Sequence, residues 1–247
     1  MSDMKPSLAS NLRHLTPARL RLEAGGTAAK LSSVLDFQAC HASARDAIYM
    51  PVDWQGVTGA LDGTEAIRIH SRAETREIYI RRPDLGRRVQ EADMALLPEG
   101  PYDLAIVVAD GLSAHAINDT GGALVASLLD AFRDLKVAPV VLAEQGRVGI
   151  GDEVGEAMGA ALVLILVGER PGLSVTNSIG AYLTRAPRVG TPDSARNCVS
   201  NIHGKGGLSI PAATHKINWL VRHARKLGVT GVGLKDLSDT VPLLAED

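Results

Sequence analysis

Aromatic side chains are scarce in this 247-residue chain: phenylalanine, tryptophan and tyrosine together make up 3%. So small a supply leaves few platforms on which unpaired bases could stack. Cysteine is scarcer still. Cys40 and Cys198 are far apart and form no CxxC pair, which argues against a disulfide framework or a zinc ribbon and suits a reducing, cytosolic compartment. Neither sign of charge is in excess. The net charge is −2 at pH 7, so the total points to neither a nucleic-acid partner nor an anionic membrane. The longest apolar run, Ala157 to Gly168, is interrupted by glycine and too short to cross a bilayer. The opening MSDMKPSLASNLRHL has no apolar signal core; residues 1–15 read as a mobile lead-in with no clear targeting helix.

Familiar catalytic patterns are missing too. There is no GxxxxGK[ST], HExxH or GxSxG sequence and no closely spaced set of metal ligands, so no catalytic residue and no metal site is assigned. His203 follows Cys198 by five residues, but two ligands do not make a zinc site, and a surface histidine is the plainer reading. Asp110 before Gly111 is a general-base candidate or a turn former that caps the next helix. Lys205 reads as a loop lysine.

What the chain does contain is 45% hydrophobic residues arranged in short runs that end abruptly at polar turns. Val163 to Gly172, VLILVGERPG, is the clearest. Leu104–Ala109 running into Asp110-Gly111 and Val137–Ala143 running into Glu144-Gln145-Gly146-Arg147 repeat the event. Such runs suit strands covered on both faces, and the helix-like segments between them predict a β-α-β-α-β order with a parallel sheet. Three strand ends would then offer polar groups to one crevice.

The expected fold is α/β: a Rossmann-like three-layer domain over residues 99–247, preceded by a mainly helical region over residues 1–98. Thr16-Pro17 opens one helix, and Ser32 or Ser33 caps a second through Ala47, with Val34, Leu35, Cys40 and Ala44 at core spacing. Pro51 to Gly63 is rich in turn formers and reads as a surface loop. Residues 68–88 carry seven arginines, and a helix would set Arg68, Arg72 and Arg76 in one stripe. A further helix starts at Arg82-Pro83-Asp84 and ends at Leu97-Pro98, the boundary of the two regions. Near the end, Ala212–Leu227 carries an apolar stripe of Ile217, Leu220, Val221, Ala224 and Leu227, and Val232–Leu234 reads as a strand.

Two functions compete for the crevice. Gly149, Gly151 and Gly155 open a helix and Glu169 ends the next strand, as in a self-sufficient nucleotide-binding enzyme. The first glycine lies too far from its strand, however, and Asp152 and Glu153 in the first turn would repel a diphosphate. Cys198, among Asn197, Ser200 and Asn201, reads as a half-buried, inert thiol whose polar neighbours suit an amide-rich or hydroxyl-rich ligand.

The sequences RRPDLGRR (81–88), DLAIVVADGLS (103–113), GRV (146–148), LVGERPGL (166–173), AYL (181–183) and RNCVSNI (196–202) give the chain a resemblance to the small subunit of ethanolamine ammonia-lyase. The resemblance runs from about residue 16 to the end. It implies an adenosylcobalamin-dependent lyase of large and small subunits that converts ethanolamine to acetaldehyde and ammonia by a radical route. The corrinoid lies between the subunits and the substrate mainly on the large one. It further implies cofactor contacts at Val148, Glu169 and Cys198, no activity from this chain alone, and, in some bacteria, enclosure in a microcompartment. No DxHxxG sequence is present, so the cofactor is expected to keep its own benzimidazole on cobalt.

Overall fold

Three of the apolar runs lie side by side as parallel strands. The structure is a computed structural model that describes residues 29–61 and 63–240; the lead-in and the helix expected at Thr16-Pro17 lie outside the described residues. Strands β1 (Ala66–His70), β2 (Tyr102–Ala109), β3 (Val140–Glu144) and β4 (Ala160–Gly168) are parallel, and β5 (Ile179–Arg185) and β6 (Arg196–Ile202) run antiparallel to their neighbours. All six form one sheet in the order β1-β3-β2-β4-β5-β6. The sheet is therefore mixed, not wholly parallel as expected. Residues 169–178 are too few for the crossover a parallel β5 would need, so the chain turns straight back.

Successive residues of a strand face opposite sides, and this splits the core in two. Leu104, Ile106 and Val108 of β2 pack under one layer of helices; Ala105, Val107 and Ala109 pack under the other. The first layer holds α4, which begins at Ala114–Ala116, widens into a π turn over Ile117–Gly121 and continues through Gly122–Ala131, together with α6 (Ile210–Leu227). The second holds α5 (Ile150–Ala157) and short 3-10 segments at Leu85–Arg87 and Glu91–Leu96. Because β2 leads to a helix on one face and β3 to a helix on the other, a switch point opens between their carboxyl ends. Helix α6 follows its sequence signals: Ser209 caps it, Pro211 lies in its first turn and Gly228 ends it in the left-handed region at φ 69°. Of its expected stripe, Ile217, Leu220, Val221 and Ala224 are buried, but Leu227 is exposed.

The amino-terminal half departs further from expectation. Helix α1 (Leu31–Tyr49) forms, but Lys30 precedes it with no side-chain cap, and Val34 and Leu35 are exposed where core positions were expected. The expected loop after Pro51 contains α2 (Trp54–Gly59). Its turn former Asp53 serves as the cap, accepting the Gly56 N–H at 3.1 Å, and Trp54, Val57 and Leu61 enter the core. The arginine stripe does not exist. Arg68 lies on β1 paired to Glu144, Arg72 follows that strand, and Arg76 opens α3 (Arg76–Arg81). The alternation of Ile67 and Ile69 with polar residues has period two and overrides the arginine spacing. The helix expected from Arg82 is reduced to the two short 3-10 segments, and Val232 lies exposed on a turn at Gly231–Gly233, not on a strand. Strand β1, before the Leu97-Pro98 punctuation, pairs with β3 beyond it, so both sides share one sheet.

Candidate functional site

Beside the switch point, on the other side of β2, the ends of β2 and β4 nearly touch. A Cβ on Gly111, which sits at φ +56°, would lie 2.1 Å from the Gly168 carbonyl oxygen, and a Cβ on Gly168 would lie 2.2 Å from the Ser113 carbonyl oxygen. Only glycine permits this approach, which is fixed by the Leu112 N–H donating to the Gly168 carbonyl at 2.9 Å. Asp110 bridges to the neighbouring strand. One carboxylate oxygen accepts the Gly146 N–H at 3.0 Å and the other faces Arg76 Nη1 at 3.1 Å. Burial pushes its pKa up to about 6 despite the Arg76 charge. It does not cap the following helix; Ser113 does, accepting the Ala116 N–H at 3.2 Å.

Beyond β3 the chain takes a left-handed step at Gln145 (φ 54°) and passes over a buried aromatic ring. Tyr79, fully buried on α3, donates to the Gly146 carbonyl at 3.0 Å. Its ring stacks against two guanidinium groups, Arg147 at 4.3 Å and Arg76 at 4.7 Å from the ring centroid. Two cavities open here. One of about 400 Å³ is bounded by Gly111, Gly168, Glu169 and Arg170; one of about 570 Å³ is bounded by Arg87, Gly149, Arg196 and Cys198; Arg147, Val148 and Tyr182 line both. The structure thus brings Val148 and Glu169, which follow the ends of β3 and β4, and Cys198, which lies within β6, along one cleft.

Glu169 is anchored at the rim. Its N–H donates to the Ser178 carbonyl at 2.9 Å, its carboxylate accepts from the Ser178 hydroxyl and, at 3.4 Å, from the Asn201 N–H. Gly180 makes room for it: a Cβ there would meet Glu169 Oε1 at 2.9 Å. Cys198 stands opposite Tyr182 in the β5–β6 register and is exposed to the cleft, not half-buried as expected. Desolvation by its surroundings pushes its thiol pKa up, so it is a neutral thiol rather than a nucleophile at pH 7. Two residues earlier on the strand, Arg196 is buried in a bidentate pair with Asp152 and also donates to the Thr184 hydroxyl at 3.0 Å and the Thr191 carbonyl at 2.6 Å. This pair fastens the first turn of α5 to β6.

The same contacts decide against a diphosphate at α5. Asp152 is held by Arg196 and Glu153 by Arg88, and burial alone would raise the Glu153 pKa, but Arg88 and the Val89 N–H hold it below the usual range. The glycines serve packing: a Cβ on Gly151 would lie 3.1 Å from Ile165 and one on Gly155 2.7 Å from Pro187. His203, expected at the surface, is buried, its Nδ1 accepting the Lys205 N–H at 3.1 Å. Among the described residues no three His, Cys, Asp or Glu side chains gather as metal ligands, and no helix is long and apolar enough to cross a membrane. Sequence reading missed Tyr79, Arg147 and Tyr182. The signals were present, since Arg147 and Tyr182 lie inside the GRV and AYL motifs and Tyr79 is one of four tyrosines.

A family model described as ethanolamine ammonia-lyase light chain (EutC) matches residues 7–235. Curated relatives named ethanolamine ammonia-lyase small subunit include one from Xanthomonas campestris pv. campestris, 47% identical over 96% of this chain and 90% of its own length. Others come from Pseudomonas putida (46% identical over 96% of this chain and 90% of the relative) and Ralstonia nicotianae (45% over 94% and 89%).

Proposed function

The chain belongs to the ethanolamine ammonia-lyase light-chain family, and from that premise we propose that its cleft is one wall of an adenosylcobalamin site closed by a large subunit. The observation that carries this reading is the meeting of Val148, Glu169 and Cys198 on the linked cavities. The residues fit a corrinoid. Gly111 and Gly168 let the ends of β2 and β4 close on each other, so the wall they give the smaller cavity is bare backbone that a flat macrocycle can approach. Glu169, already fixed by Ser178 and Asn201, presents carboxyl oxygens as acceptors to amide or hydroxyl groups. Val148 offers a small apolar face, and Cys198 contributes packing as a neutral thiol. When bound, adenosylcobalamin supplies the radical chemistry that releases ammonia from ethanolamine. This chain binds and orients the cofactor and shields it from water.

A corrinoid with its nucleotide arm is larger than either cavity, which leaves the rest of its surface to the large subunit. Helix α1 supports the same arrangement, since Leu31, Leu35 and Phe37 are exposed on it and such surface is usually covered by a partner. The test is reconstitution. The chain alone with adenosylcobalamin should release no ammonia from ethanolamine, and the chain with its large subunit should. In that complex Glu169→Ala should raise the cobalamin Kd by about one to two orders of magnitude. Deamination by the lone chain, or unchanged affinity in a folded variant, would overturn the assignment.

A further inference from the structure

Four arginines border the 570 Å³ cavity, and they differ in what they already hold. Arg196 is engaged by Asp152 and Arg88 by Glu153. Arg147 has no carboxylate partner among the described residues. Its one side-chain hydrogen bond is a long contact from Nη2 to the Tyr79 carbonyl at 3.4 Å, and its buried Nε has no acceptor. The side chain is nonetheless held in place. The Arg147 N–H donates to the Gly86 carbonyl at 2.7 Å, its Cγ occupies space that a Cβ on Gly86 would enter at 2.8 Å, and its guanidinium lies on the Tyr79 ring. Arg87, exposed across Gly149, adds a second positive charge to the same cavity. A guanidinium fixed on an aromatic face, with its fork unspent and half out of water, is pre-organised for a two-pronged anion.

We propose that Arg147 is the anion-recognition residue of the cleft and that it binds the phosphodiester in the nucleotide arm of the corrinoid, with Arg87 reinforcing the charge. This rests on the cobalamin reading above. It assigns to this chain the recognition of the arm as distinct from the ring, so Arg147 sets a preference for complete cobalamins over corrinoids that lack the phosphate.

The test uses the complex with the large subunit and follows corrinoid absorbance during titration with cyanocobalamin, with dicyanocobinamide, which lacks the arm, and with cobinamide phosphate, which restores the phosphate alone. Arg147→Gln should weaken cyanocobalamin and cobinamide phosphate by about tenfold to a hundredfold and leave dicyanocobinamide within about twofold. Equal weakening of all three overturns the proposal. So does failure of the variant subunits to assemble without any corrinoid, which would show that Arg147 meets a carboxylate of the large subunit instead. Should Arg147→Gln not fold, wild type decides: its preference for cobinamide phosphate over dicyanocobinamide should shrink as salt rises, and a salt-independent ratio overturns the assignment. A wild-type complex that binds no cyanocobalamin overturns the cobalamin reading itself, and this subsite with it.

Discussion

Asp110 shows how a single side chain ties two strand ends at a cost that depends on pH. It is a carboxyl group with 8% exposure, accepting one backbone N–H and facing one arginine, yet burial outweighs both and its pKa rises to about 6. The folded protein therefore holds a proton on Asp110 between about pH 4 and pH 6 that the unfolded chain has already lost. Its contribution to stability is fully present below pH 4 and falls as pH rises through 6, by on the order of 3 kcal/mol. Asp110→Asn imitates the protonated form. Urea unfolding at pH 4, 5 and 6 should show wild type losing about 2 kcal/mol of stability relative to this variant across that window, whereas parallel curves would mean that the carboxyl does not titrate with folding. At the same scale, Gly111, Gly168 and Gly180 matter through what they lack, and a sequence cannot show which absent side chain lets two segments close on each other.

Between elements, the determining contact is the ion pair of Arg196 on β6 with Asp152 on α5. Both side chains are almost wholly buried, so neither charge can be left alone cheaply. Arg196→Ala should destabilise the fold by about 3–5 kcal/mol in urea unfolding, and adding Asp152→Ala should recover part of that loss. Equal destabilisation by the single and double variants would mean that the cost lies in the packing of the arginine stem and not in an orphaned charge. Elements whose own sequence carries their signals were legible in advance: β2, β4 and α6 have apolar patterns, caps and breakers that agree with their surroundings. Elements that are settled by their neighbours were not. Helix α2 is short and full of turn formers, β1 has only five residues, and both exist because the sheet and α4 give them something to pack against.

Across the whole molecule the surfaces divide between those already spent within the chain and those left over. The two faces of the sheet are covered by helices, but α1 keeps Leu31 and Leu35, one turn apart, 72% and 55% exposed. Arg76 connects that helix to the cleft, since its Nε donates to the Ile48 carbonyl at 2.7 Å while its Nη1 reaches Asp110. Replacing Leu31 and Leu35 together by glutamate should leave the unfolding midpoint of the lone chain almost unmoved and weaken its association with the large subunit by about tenfold or more. Unaltered association in a co-purification or sedimentation assay would place the partner elsewhere. The sequence by itself determined the family and the strands that run out at polar turns, because collinear motifs and hydrophobic periodicity are local properties of a chain. Only the tertiary structure decided that the sheet is mixed, that the arginines are dispersed, and that Arg147, alone of the cavity's partly buried arginines, has no carboxylate partner among the described residues. Those facts depend on which residues distant in sequence arrive within a few ångströms of one another, and charge pairing and close packing are fixed at that distance.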